Sequence, residues 1–313
     1  MLSRIADSLF WLNRYMERTD SLVRLISVHY ILSLDKGISS PNSWRPVLEV
    51  ATRYDTIDIG WIEYNTAASL NRLMLDTENN NSLKLIVHRA RENARGIQDY
   101  ITKEVWEEVN QMYHFINDPY LATKLSGSEA MQVLDKFTNH SVLFAGVIEI
   151  TMPRNTGWYF MNLGKYIERC FHTIALLEKQ LQLTQFNIED SGDILQWRYL
   201  LLALSGYELH LKTYTSTHHT ANLLHQAIFN ENFTRSILYS LSRIDIYLQK
   251  VMPADSTIEK KAILNCFGRL YSGLKYIEQN SLSSDNIFSF LSKLRDDLSE
   301  FSTQFTQHFF SYA

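Results

Sequence analysis

Apolar residues recur three and four positions apart through most of the chain, and two-residue alternation bounded by turn residues is scarce. The pattern therefore predicts helices almost throughout. Ile5, Leu9, Leu12, Met16 and Val23 form one such stripe, and Phe160, Leu163, Ile167, Cys170 and Ile174 form another. The helix breakers are few, with 11 glycines and 5 prolines. Turn-forming residues gather at Gly37–Pro41, Pro119–Gly127, Pro153–Gly157, Asp190–Asp193, Pro253–Ser256 and Asn280–Asp285, which are read as loops. Helices of about 15 to 30 residues fit between them.

The heptapeptide LNRYMER, Leu12–Arg18, returns as LGKYIER, Leu163–Arg169, at a shift of 151. Trp44-Arg45 returns as Trp197-Arg198 at 153, with Leu48 meeting Leu201, Tyr54 meeting Tyr207 and Asp55 meeting Glu208. Thr66-Ala67 returns as Thr220-Ala221 at 154, with Leu70 meeting Leu224 and Ser82 meeting Ser236. Three segments in one order at nearly one shift imply an internal duplication. The expected architecture is all-α, a duplicated helical bundle with two pseudo-symmetric halves: one domain over 1–313 made of repeats 1–150 and 151–313.

At about 100° per residue, Glu17 lies about 130° from the centre of its helix's apolar stripe, and Glu168 about 120° from its own in the same rotational sense. Both carboxylates thus stand on equivalent margins, and a pseudo-two-fold would let those margins meet around one cleft with Arg14, Arg18, Lys165 and Arg169. Carboxylates paired in a cleft can hold a proton, a metal or an amine. The competing reading is an exposed ladder of helix ion pairs, worth a few tenths of a kcal/mol each.

HRARENAR, His88–Arg95, follows capping candidates at Asn79–Ser82. At the shift of 154, Arg91–Arg95 meets the mainly apolar and neutral DIYLQ, Asp245–Gln249, so only one half carries this charged cluster. Asn93 falls about 60° from the apolar stripe and is expected to be partly buried and bonded. With Arg89 one turn earlier it would suit a carboxylate or phosphate; the alternative is a bond from Asn93 to a neighbouring helix, with the arginines in water. Thr102 is the expected cap of the next helix, with Trp106 packing inward.

Composition narrows the chemistry further. Charged residues make up 20% of the chain and the formal net charge is -4, with no basic block, so a nucleic-acid partner is not expected. No apolar run has the length of a membrane span, and charges interrupt the N-terminal segment, so a cytoplasmic protein is expected. Cys170 and Cys266 both sit in apolar helical pattern, and are read as buried small hydrophobes rather than a disulfide. The ten histidines form no zinc spacing, and His218 and His219 are placed in a solvated loop. No metal site is expected, the identity of any cofactor stays open, and no nucleophile elbow or phosphate loop appears.

The opening MLSRIADSLFWLNRYMER, the central ARENAR with EVWEEVN, and GWYFMNLGKYIER together resemble the bacterial alpha-E family across essentially the whole chain. The family's recurring polar positions then fall on Arg4, Trp11, Arg14, Glu17 and Arg18; on Arg91, Glu92, Asn93, Arg95, Trp106 and Asn110; and on Trp158, Glu168 and Arg169. Lys165 stands where the family often has arginine, keeping the charge without the bidentate fork. The resemblance implies an ATP-grasp-like ligase and a transglutaminase-like protein as partners, in peptide or amide-bond chemistry. Two roles follow as expectations. One is a non-catalytic helical partner that docks the ligase or presents its substrate. The other is an enzyme using Glu17 and Glu168, with Arg14, Arg18, Arg91, Glu92, Asn93, Arg95, Lys165 and Arg169 as candidate substrate-binding residues.

Overall fold

The computed structural model describes residues 2–34, 43–52, 56–188, 194–215, 219–252, 258–278 and 282–310. Every regular element among them is helical, as the three-and-four spacing predicts. The chain divides into two compact units, one comprising Trp11–Pro153 and the other Met1–Phe10 with Arg154–Ala313. Helix α1, Ser3–Leu34, supplies residues to both.

The Trp11–Pro153 unit continues with α2 (Arg45–Ala51), α3 (Thr56–Ile62), α4 (Thr66–Met74), α5 (Leu83–Arg95), α6 (Lys103–Ile116), α7 (Leu121–Ser126) and α8 (Ala130–Thr151). Ser82 caps α5 by accepting from the Leu85 N–H, and Thr102 caps α6 by accepting from that of Val105, so these starts lie where short polar side chains can satisfy free donors. Helix α6 runs antiparallel to α8: Thr102 bonds Thr151 at 2.7 Å at one end, while Phe115 packs on Phe137 towards the other. A set of polar bonds holds Trp44 and Arg45 in this unit. Arg45 grips Glu63 through Nε and Nη2 at 2.8 and 3.0 Å, Ser43 donates to the same carboxylate, and the buried Trp44 indole donates to Thr66 at 3.2 Å. The Arg45 and Ser43 hydrogen bonds hold the Glu63 carboxyl below the usual carboxylate range.

The other unit contains α9 (Thr156–Leu183), α10 (Ile194–Ala203), α11 (Tyr207–Thr213), α12 (His219–Leu224), α13 (Ile237–Val251), α14 (Ile258–Lys275) and α15 (Ile287–Phe310). Helix α9 is the central element: Trp158, Leu163, Ile167, Glu168, Cys170 and Leu177 are buried on all sides of it, as expected of a helix covered all round. Asn155 caps it by accepting from the Gly157 and Trp158 N–H groups. Phe10, Phe160, Phe305 and Phe310 form an aromatic core where α1, α9 and α15 meet, and Gly164 lets the α9 backbone approach Phe10. Ser236 caps α13 as Ser82 caps α5, each accepting from the N–H three residues on.

Several expectations need correction. The loop expected over 119–127 contains α7, and helices of six to ten residues such as α10 and α12 stand where longer ones were expected. Periodicity marks which face is apolar, but a short helix presents the same face as one turn of a longer one. His219 opens α12 instead of lying in a loop, whereas His218 lies outside the described residues, as do Tyr54 and Asp55, the loops at 37–41, 190–193 and 253–256, and 280–281. Cys170 and Cys266 are buried and free, and burial pushes the Cys170 thiol up to about 12.

Candidate functional site

Glu168 and Arg169 sit in the middle of α9 and are only 7% and 8% exposed. Glu17, on α1, is 6% exposed. The ladder of exposed ion pairs considered for these helices therefore does not describe either carboxylate. A wheel margin marks a solvent boundary only where one face of a helix is covered, and both helices are buried around much of their circumference.

Arg169 has a structural task that its burial makes legible. Its Nη1 donates to the Thr234 carbonyl at 3.1 Å, while the Thr173 hydroxyl donates to the Arg235 carbonyl at 3.0 Å. Thr234 and Arg235 immediately precede the Ser236 cap, so α9 satisfies carbonyls of the chain entering α13. The Arg169 guanidinium also lies 5.2 Å from the Tyr166 ring centre, and Lys165 Nζ lies 5.6 Å from it. On α1, Arg14 packs over Trp11 at 4.8 Å and Arg18 over Tyr15 at 5.8 Å. Glu17 belongs to the Trp11–Pro153 unit and Glu168 to the other.

The ARENAR segment is brought together most completely. Helices α5 and α6 run antiparallel, placing His88 beside Tyr113 and Arg91 between Tyr113 and Trp106, at 4.4 and 5.6 Å from the two ring centres. Arg91 Nε donates to the Asn110 amide oxygen at 2.8 Å and its Nη1 to Glu92 at 3.3 Å; Arg95 bonds the other Glu92 oxygen. The result is a preorganised charged and aromatic surface in which Arg91 is largely covered while Arg95 reaches water.

Asn93 stays outside this network. Its amide donates to the Arg89 carbonyl of its own helix at 2.8 Å, rather than to a neighbouring helix as one reading expected. The Arg89 guanidinium in turn donates to the carbonyl and side-chain oxygens of Asn80, closing the loop before α5. Trp106 is half-buried beneath Arg91 instead of packing fully inward.

Two polar groupings escaped the sequence reading. Glu108, 3% exposed, meets His140 Nδ1 at 2.6 Å across α6 and α8. In the other unit a π-helical turn at His225–Phe229 builds a second network. There Gln226 donates to the Gly206 carbonyl and meets His210 at 2.8 Å, and Tyr214 meets His225 at 2.7 Å. Burial lowers the pKa of both histidines. Neither grouping has a local signal, because the partners come together only through helix packing or a non-α turn. Among the described residues no group of three or more His, Cys, Asp or Glu could hold a metal ion. No described helix is long and apolar enough to cross a membrane.

Residues 1–310 match a family described as a predicted alpha-helical domain with a conserved ER motif. The dipeptide Glu-Arg occurs at Glu17-Arg18 and at Glu168-Arg169. An uncharacterized protein of Mycobacterium bovis (strain ATCC BAA-935 / AF2122/97) is 24% identical over 270 residues, covering 81% of this chain and 30% of the relative. An uncharacterized protein of Mycobacterium tuberculosis (strain ATCC 25618 / H37Rv) is 23% identical over the same length and shares. The chain thus spans about a third of the length of the curated relatives it matches. No solved structure matches.

Proposed function

Because the chain belongs to the Alpha-E family, we propose that it is a non-catalytic, cytoplasmic helical partner of an ATP-grasp-like peptide or amide ligase, docking that enzyme or presenting its substrate, in a system that includes a transglutaminase-like protein. The observation that carries this reading is the outer strip of α8. Val142, Leu143 and Ile150 are 56%, 52% and 85% exposed, and beside them an added Cβ at Gly146 would meet nothing within 4 Å. Neighbouring apolar side chains left in water on a helix suit a partner that covers them. The mycobacterial relatives support a module that works beside other parts, since the matched segment is 30% of each. The two repeats belong to the same proposal, supported by the matching Ser82 and Ser236 caps and the buried Trp44 and Trp197.

Leu143→Glu with Ile150→Glu is expected to weaken co-purification with the neighbouring ligase about tenfold or more, while the thermal midpoint stays near that of the wild type. Undiminished co-purification by this double variant, or none by the wild type, would remove the docking role.

The burial of both Glu-Arg carboxylates favours a second reading, in which Glu17 and Glu168 serve an amide-modifying reaction with the candidate arginines and Asn93 as substrate contacts, since buried carboxylates are uncommon unless paired or put to use. Under it, Glu17→Gln and Glu168→Gln each abolish modification of the ligase product while circular dichroism stays native. Full turnover by both variants would end this reading.

A further inference from the structure

Helices α9 and α13 run antiparallel and meet along an aromatic seam. Trp158 packs edge-on to Tyr247 at 5.3 Å, Tyr166 stacks on Tyr247 at 6.0 Å, and Tyr166 also meets Tyr239 at 6.2 Å. Arg243 emerges among these rings from α13, its guanidinium 5.5 Å from the Tyr239 ring centre, and hydrogen-bonds to Tyr166.

Arg243 differs from several arginines elsewhere in the chain. Arg45 holds Glu63, Arg72 holds Asp76, Arg295 holds Glu178, and Arg89, the residue 154 positions earlier, is occupied by Asn80. Arg243 has no carboxylate at ion-pair distance among the described residues, and its buried Nε–H has no acceptor. Asp245, the nearest acid on α13, accepts from Gln249 at 3.0 Å, and residues two apart on a helix do not face one another. A second buried donor on the same seam, the indole N–H of the 9% exposed Trp158, also has no acceptor. Two orphaned donors on one aromatic seam, where Trp158 packs on Tyr247 and Arg243 lies against Tyr239 and Tyr166, are unlike the usual satisfied interior, in which buried N–H groups find partners.

We propose that Arg243 and Trp158 form a carboxylate-binding site on the α9–α13 seam, with Tyr166 and Tyr239 as its walls. The Nε and Nη2 edge of a guanidinium presents two parallel donors spaced for the two oxygens of a carboxylate. Aromatic walls lower the local dielectric and strengthen that pair, and Lys165 beside Tyr166 adds positive charge. Arg169, on the same helix, is committed to the Thr234 carbonyl and supports the seam rather than the ligand. The site is independent of the docking role proposed above, which rests on α8 in the other unit.

The test is thermal unfolding of the full chain in succinate, in inorganic phosphate and in chloride at matched ionic strength. Succinate is expected to raise the wild-type midpoint by about 2 °C, with no rise in chloride. Arg243→Met should abolish the rise. Arg243→Lys, which keeps the charge but loses Nε–H and the fork, should remove most of it. Trp158→Phe, which deletes the indole N–H, should reduce it. Absence of a succinate effect in the wild type, or an equal effect in Arg243→Met or Arg243→Lys, would overturn the site. An unchanged effect in Trp158→Phe would remove Trp158 from it. An Arg243-dependent rise in phosphate but not in succinate would overturn the carboxylate assignment.

Discussion

Replacing Gly164 with alanine is expected to destabilise the protein by about 3 kcal/mol and to lower its thermal midpoint by several degrees. A Cβ at this position would lie 2.2 Å from the Phe10 carbonyl oxygen and 3.1 Å from the Phe10 carbonyl carbon. Those atoms are helix backbone, so no rotamer change relieves the contact, and the α1 and α9 segments of this unit would have to separate. Helix propensity works the other way, since alanine within a helix is worth about 1 kcal/mol over glycine. The sign of the net effect therefore tells which term wins. Gly268 and Gly273 on α14 supply the control, because an added Cβ there meets nothing within 4 Å. Gly268→Ala and Gly273→Ala should raise stability by up to about 1 kcal/mol each. Denaturant midpoints of the three variants check this; a Gly164→Ala protein as stable as the wild type would show that the close approach to Phe10 is not required.

Acid should destabilise the fold through His29 before most carboxylates protonate. His29 is buried on α1, its ring edge-on to Trp44 at 4.5 Å, and burial lowers its pKa from 6.5 to about 4, against the raising effect of the hydrogen bond its ring donates to the Ser43 backbone carbonyl. The folded state thus holds the neutral ring, while the unfolded chain protonates it below about 6.5. Between these values the unfolded state binds more protons, so the stabilisation is complete above about 6.5 and is lost as the pH falls towards 4. A shift of this size corresponds to about 3 kcal/mol across the window. His29→Gln carries its own packing loss at every pH, but the difference between wild type and variant should shrink by that amount from pH 7 to pH 4. Comparing the two proteins cancels the same-signed contributions of His210 and His225. Parallel stability curves would mean that His29 titrates alike in the folded and unfolded chain, as a solvated ring does.

The local decisions of this chain were readable from its residues in order. The three-and-four spacing determined helices, and Thr102 and the polar run ending in Ser82 marked helix starts because a cap needs only a short side chain beside the first free N–H groups. HRARENAR marked a charged cluster; the structure links Arg91, Glu92 and Arg95 there and adds Asn110 from the next helix, while Asn93 bonds within its own helix. Tertiary structure alone decided the burial of Glu17 and Glu168, the bond from Arg169 to Thr234, the meeting of Glu108 with His140, and the need for glycine at 164, where the heptapeptide LNRYMER has Asn13 in place of the glycine of LGKYIER. The reason is geometric. Spacing along a helix fixes the direction in which a side chain points, but not how many neighbouring helices lie in that direction or which of their carbonyls it meets. Those depend on helix crossings between residues far apart in the chain, which no local pattern of apolar and polar positions specifies.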